Sequence, residues 1–179
     1  DRASELAVRT MEQTFASTRP EQGRRDKSEG DPYSHLLTQS INRAHAVILE
    51  EMEVQPRLAG MGTTVVATLF ANSRLYVAHV GDSRCYCFRD GSLNLLTRDH
   101  SMVNELRDRY NVRPDQEAKL AGFSHVVSRA LGVDHDTNSE IELTVAAPRG
   151  NDIYVLCSDG LSDETTENHI QQVLAEAKA

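Results

Sequence analysis

No apolar stretch of this 179-residue chain approaches the roughly 18 residues a membrane-crossing helix needs, and its first residues do not read as a signal peptide. Cysteine is sparse: three residues, an odd number without framework spacing, which excludes a secreted disulfide scaffold. A cytoplasmic protein is therefore expected. Positive charge is also short, with 19 Lys and Arg against 27 Asp and Glu for a net charge of −8. Phosphate backbones demand a basic face, so nucleic acid is not an expected partner, and neither is a membrane. No G-x-G-x-x-G, Walker loop or H-E-x-x-H occurs, which removes the usual nucleotide cradles and zinc proteases. Internal repeats and low-complexity tracts are absent too. What remains is an ordinary composition, 39% hydrophobic and 26% charged, long enough for one domain with a sizeable core.

Leu6, Ala7, Met11 and Phe15 recur at near-helical spacing and predict a helix over 3–16, with Ser4 as its N-cap. Residues 18–33 are polar and carry Pro20, Gly23, Gly30 and Pro32, so they read as a loop in which Arg24–Lys27 is solvated. A second helix is expected over 34–53, where Leu37, Ile41, Ala44, Ile48 and Met52 form one stripe. Strands follow at 63–70, 74–80, 84–88 and 93–96, joined by turns that include Ala71-Asn72-Ser73 and Asp90-Gly91. In Leu75-Tyr76-Val77-Ala78-His79-Val80 both alternating faces are largely apolar, which predicts a strand covered on both sides. Residues 101–124 are polar and irregular, with helical pieces near 103–109 and 115–120. Three more strands are expected at 126–129, 140–147 and 153–157, then a closing helix over 164–176. Helices, a run of antiparallel hairpins and a final helix indicate an α+β fold rather than β-α-β units.

The chemistry concentrates in Cys157-Ser158-Asp159-Gly160-Leu161-Ser162-Asp163, where an apolar strand ends in an Asp-Gly pair and a second Asp follows four residues on. Two such carboxylates suit hard, oxygen-seeking cations such as Mg²⁺ or Mn²⁺, although Asp159 reads equally as a helix cap. A similar element, Val80-Gly81-Asp82-Ser83-Arg84, ends the doubly apolar strand. Taken singly, Asp82 reads as an Asx turn in a tight hairpin. His79, in an apolar strand, reads as a core histidine with a hydrogen-bond partner. Cys85 and Cys87 point the same way on one strand and read as buried thiols rather than zinc ligands. Asp134-His135-Asp136-Thr137 is one residue short of a dehalogenase-type nucleophile motif and reads as a turn.

Five motifs occur in order: Gly60-Met61-Gly62-Thr63-Thr64, Gly81-Asp82-Ser83-Arg84, Thr97-Arg98-Asp99-His100-Ser101, Ser128-Arg129-Ala130-Leu131-Gly132, and Ser158-Asp159-Gly160-Leu161-Ser162-Asp163. The series resembles the metal-dependent Ser/Thr protein phosphatases of type 2C in their bacterial form, across nearly the whole chain. The resemblance implies a four-layer α-β-β-α sandwich, two antiparallel sheets between helix layers, with Mn²⁺ or Mg²⁺ at one end. It implies hydrolysis of phosphoserine and phosphothreonine on proteins by a metal-activated water, without a phosphoenzyme. By that resemblance Asp159 is catalytic, as a ligand of two central ions, while Asp82 and Asp163 hold a third, weaker ion. Asp99 and Arg129 take structural roles, residues 101–124 form a flap subdomain, and no substrate-binding residue is assigned. A phosphorylated protein is the implied partner, together with a Ser/Thr kinase or its targets.

The family's Asp-Gly pair before the first helix, its phosphate-gripping basic residue and its final Asp-Asn pair have no counterparts here. Residues 1–179 are therefore read as a single catalytic domain, incomplete at both ends, with terminal strands missing. This segment alone is expected to be inactive. The alternative is a non-catalytic, pseudophosphatase-like module that binds a phosphoprotein or kinase. Retention of Asp82, Asp159 and Asp163 together favours the enzyme.

Overall fold

Strand β2 (Arg74–Val80) lies at the centre of the molecule because both of its faces are apolar, and each is covered. Tyr76, Ala78 and Val80 point towards the helices α1 (Arg2–Ser17) and α2 (Pro32–Val54), joining Leu6, Leu37, Ile41, Ala44 and Ile48 in one core cluster. Leu75 and Val77 point the other way, into a second cluster with Cys85, Val66, Leu96 and Tyr154. The computed structural model describes residues 2–18, 31–110, 123, 126–133 and 141–178.

Two three-stranded antiparallel sheets result. The first runs β1 (Val65–Ala71), β2, β5 (Glu142–Ala146); the second runs β4 (Ser92–Leu95), β3 (Arg84–Arg89), β6 (Ile153–Cys157). The second cluster is the seam between them. The outer face of the second sheet is covered by α5 (Glu167–Lys178), where Tyr86 donates to Glu167 and the Leu93 N–H donates to Gln171. The order helix, sheet, sheet, helix is the four-layer α+β sandwich that the resemblance implied. Within the described residues, no helix is long and apolar enough to cross a membrane.

Local chemistry sets the boundaries. Asp31 caps α2 by accepting the Ser34 N–H at 2.9 Å, and Pro32 opens the helix, two residues before the apolar stripe predicts. Proline is favoured at a first helical position, where no N–H is needed, so Pro32 starts the helix instead of ending a loop. The β1–β2 and β3–β4 hairpins turn on Asn72, Ser73, Asp90 and Gly91, all with positive φ.

Several expectations need correction. β2 and β3 do not form a hairpin: Gly81-Asp82-Ser83 carries the chain from one sheet to the other. Residues 126–129 form no strand, only a single bridge between Val127 and Ser101. The closing helix starts at Glu167, after a separate turn, α4 (Asp159–Ser162). Of the 101–124 segment the described residues are Ser101, α3 (Met102–Tyr110) and Phe123. Arg24–Lys27, the helical piece near 115–120 and Asp134–Thr137 lie outside the described residues.

Candidate metal centre

The turn after β2 is fixed from two sides. Gly81 has φ +107°, and a Cβ there would stand 2.3 Å from Thr64 Cγ2, so only glycine fits. On the other side its N–H donates to His100 Nδ1 at 3.1 Å, while its carbonyl accepts the His100 N–H at 3.0 Å. Ser83, two residues along, shares a 2.8 Å hydroxyl hydrogen bond with Thr64. Between these anchors Asp82 is half-buried. Its carboxyl is raised above the usual carboxylate range, first by burial and then by the charges of Asp159, Asp99 and Asp163, against its own backbone N–H.

Asp159 and Asp163 arrive by a different route. β6 runs into α4, and the Asp163 N–H donates to the Asp159 carbonyl at 2.8 Å. One helical turn thus places the two carboxylates on the same side, which gives their four-residue spacing its meaning. The Gly160 N–H donates to Asp159 Oδ1 at 2.8 Å and orients that carboxylate. Gly160 is helical, not a sharp turn: a Cβ there would meet only Ser158 Oγ, at 3.5 Å. The charges of Asp159 and Asp163 reach Asp82 at one rim of the sandwich, although the three carboxylates do not all lie within 4.8 Å of one another. All three offer carboxylate oxygens, a donor set suited to Mg²⁺ or Mn²⁺ and poorly suited to soft metals.

Beneath the rim, Asp99 forms a forked ion pair with Arg84, at 2.9 Å to Nε and 2.6 Å to Nη2. Arg84 continues to the Tyr86 hydroxyl at 3.1 Å, and this network raises the guanidinium's pKa. Arg129 pairs with Glu105 of α3 at 3.2 Å. His79 finds the partner expected of a core histidine in the Arg98 carbonyl, 2.7 Å from Nε2. Cys85 and Cys87 are buried, and burial pushes the Cys85 thiol up to about 11.

His79, His100 and Glu142 also converge. The ring protons argue against a cation there. A carbonyl only accepts, so His79 Nε2 carries a proton; His100 Nδ1 is engaged by Gly81, so His100 Nε2 carries the other. That Nε2 faces Glu142 Oε1 at 3.3 Å without hydrogen-bond alignment. Sequence reasoning placed His100 in a motif and gave it no role. Its signal lies in pairing with Gly81 across 19 residues, which spacing alone does not reveal.

A paired-sheet sandwich that gathers hard oxygen donors at one rim defines a class of fold and site. Within it, the sequence model of one family, protein phosphatase 2C, matches residues 3–177, and the chain belongs to that family. The serine/threonine protein phosphatase PstP of Mycobacterium tuberculosis is 38% identical over 151 residues, covering 83% of this chain and 28% of its own length. A serine/threonine phosphatase stp of Listeria monocytogenes is 33% identical over 178 residues, covering 97% of this chain and 66% of its own. The crystal structure of the PstP catalytic domain in complex with two manganese ions matches with a TM-score of 0.75 at 35% identity, over 97% of this chain and 66% of that one. The serine/threonine phosphatase of S. agalactiae matches with a TM-score of 0.79 at 31% identity, over 96% and 66%. The chain thus spans between 28% and 66% of these two curated relatives.

Proposed function

We propose that the complete protein is a Mn²⁺- or Mg²⁺-dependent serine/threonine protein phosphatase that acts in the cytoplasm on phosphorylated proteins, opposing a Ser/Thr kinase. The observation that carries this reading is the convergence of Asp82 with Asp159 and Asp163 in a chain of this family. The residues fit a divalent cation: the donors are carboxylates, and the charges of Asp159, Asp99 and Asp163 add to burial in raising the Asp82 carboxyl, a repulsion that a cation would relieve. Support for the choice of metal comes from the manganese ions named for the mycobacterial relative.

In this reading Asp159 holds the central ions, and Asp82 with Asp163 holds a further, weaker one. Bound ions supply charge that lowers the pKa of water and offsets the phosphoryl group's negative charge. The chain's own part is placement. The Gly81 turn holds Asp82 from the first sheet, while α4 presents Asp159 and Asp163 from the second. Bare carboxylates repel a phosphate dianion, so this rim accepts substrate only when loaded. Residues 101–124, beginning with α3, are read as the flap subdomain of a single catalytic domain spanning 1–179.

The test is hydrolysis of p-nitrophenyl phosphate and of phosphoserine and phosphothreonine peptides, comparing the full reading frame with residues 1–179. The full protein should turn over with Mn²⁺ and stop with EDTA, and the segment alone should be nearly inactive. A full protein that binds phosphopeptides without hydrolysing them would leave the binding-module reading in its place.

A further inference from the structure

We propose that His100 is a positioning residue for the metal site: its ring clamps the Gly81 backbone and so fixes where the Asp82 carboxylate stands. The inference rests on the reading of Asp82 as a cation ligand.

The clamp has two points. His100 Nδ1 accepts the Gly81 N–H at 3.1 Å, and the His100 N–H donates to the Gly81 carbonyl at 3.0 Å. Opposite the ring, Thr64 packs so tightly on the Gly81 Cα that no side chain fits. The turn is held between the two, and Asp82 is the next residue. The tautomer is fixed as well, because Nδ1 accepts only when the proton sits on Nε2, the atom that faces Glu142. His79 stacks on the ring, with centroids 4.7 Å apart and planes at 28°, and is itself anchored to the Arg98 carbonyl. His100 is 4% exposed, so the arrangement is dry and its geometry narrowly defined. Partners of this kind, which do not touch the ion, orient the ligands that do.

The clamp is measurable without metal. In the ¹⁵N-labelled parent chain, a coupling across the N–H···N bond between Gly81 N and His100 Nδ1 is expected, and its absence overturns the proposal. Three variants then separate position from bulk. His100→Asn places Oδ1 two bonds from Cβ, as Nδ1 is, and can accept the same N–H. His100→Gln carries its polar atoms one bond too far, and His100→Phe keeps the ring on His79 but has no acceptor. The Gly81 amide should exchange faster in the Gln and Phe variants than in the parent or the Asn variant.

Calorimetric Mn²⁺ affinity for the Asp82-dependent ion should fall about ten- to hundredfold in H100F and H100Q, and stay within about threefold of the parent in H100N. Parental affinity in H100F, or an H100N no better than H100Q, overturns the clamp; the latter pair decides even if H100F fails to fold. D82N serves as the control. If D82N binds Mn²⁺ like the parent, the ligand reading falls and the proposal with it. If D82N weakens binding and H100F and H100Q do not, only the role of His100 falls.

Discussion

Asp82 and the Asp159–Asp163 pair reach one rim by opposite means. Asp82 sits in a turn fixed by distant residues: Thr64 from just before β1, and His100 from the stretch after β4. Asp159 opens a four-residue helix that Asp163 caps, organised by its own backbone and open to solvent: Leu161 within it is 38% accessible. One half of the site is built by long-range packing, the other by local hydrogen bonding. The first should be brittle and the second tolerant, and the difference concerns stability more than chemistry.

The largest effect tests the chemistry that both halves share. Asp159→Asn in the complete protein should cost about a thousandfold or more in Mn²⁺-dependent turnover, because several kcal/mol of charge stabilisation depend on that ligand. A near-parental kcat on p-nitrophenyl phosphate would refute its role. Next comes the brittle half. Gly81→Ala forces a Cβ into Thr64 at positive φ and should destabilise the fold by about 1–3 kcal/mol in urea unfolding. An unchanged midpoint would show the turn to be looser than described.

Protonation offers a gentler way to strain the same turn. Burial, then His79 and Arg129, hold the His100 pKa down to about 4, with Glu142 opposing. An unfolded histidine titrates near about 6.5, so between these values the folded chain binds fewer protons than the unfolded one. The contribution to stability is complete above about pH 6.5 and drains away as pH falls towards about 4. Urea midpoints at pH 7 and pH 5 should therefore separate in the parent and separate less in His100→Asn. Equal separation in both would contradict the assignment. The smallest effect belongs to the tolerant half. Gly160→Ala meets only Ser158 Oγ at 3.5 Å and should leave stability unchanged or raise it by less than about 1 kcal/mol. A loss as large as that of Gly81→Ala would erase the contrast.

The tolerant half was also the more legible one. The four-residue spacing of Asp159 and Asp163 is a local signal, and the helix-cap reading of Asp159 misses by one residue, since Ser158 is the N-cap. β2 was legible through its two apolar faces, and both hairpins through the residues of their turns. The crossover at Gly81 was not, since sheet membership depends on which distant strand pairs with β2 and which with β3. Val126 and Val127 looked like strand residues, yet Met102 and Ser128 bond across to irregular backbone and only one bridge forms. His100 was visible as part of a motif, but a contact between residues 81 and 100 leaves no mark in local pattern.

Anomalous scattering from crystals soaked in Mn²⁺ puts the convergence itself to the test. Manganese peaks are expected at the rim, coordinated by carboxylate oxygens of Asp159 and, at higher concentration, of Asp82 and Asp163. Peaks confined to other acidic surfaces, with these three carboxylates left without metal, would contradict the convergence.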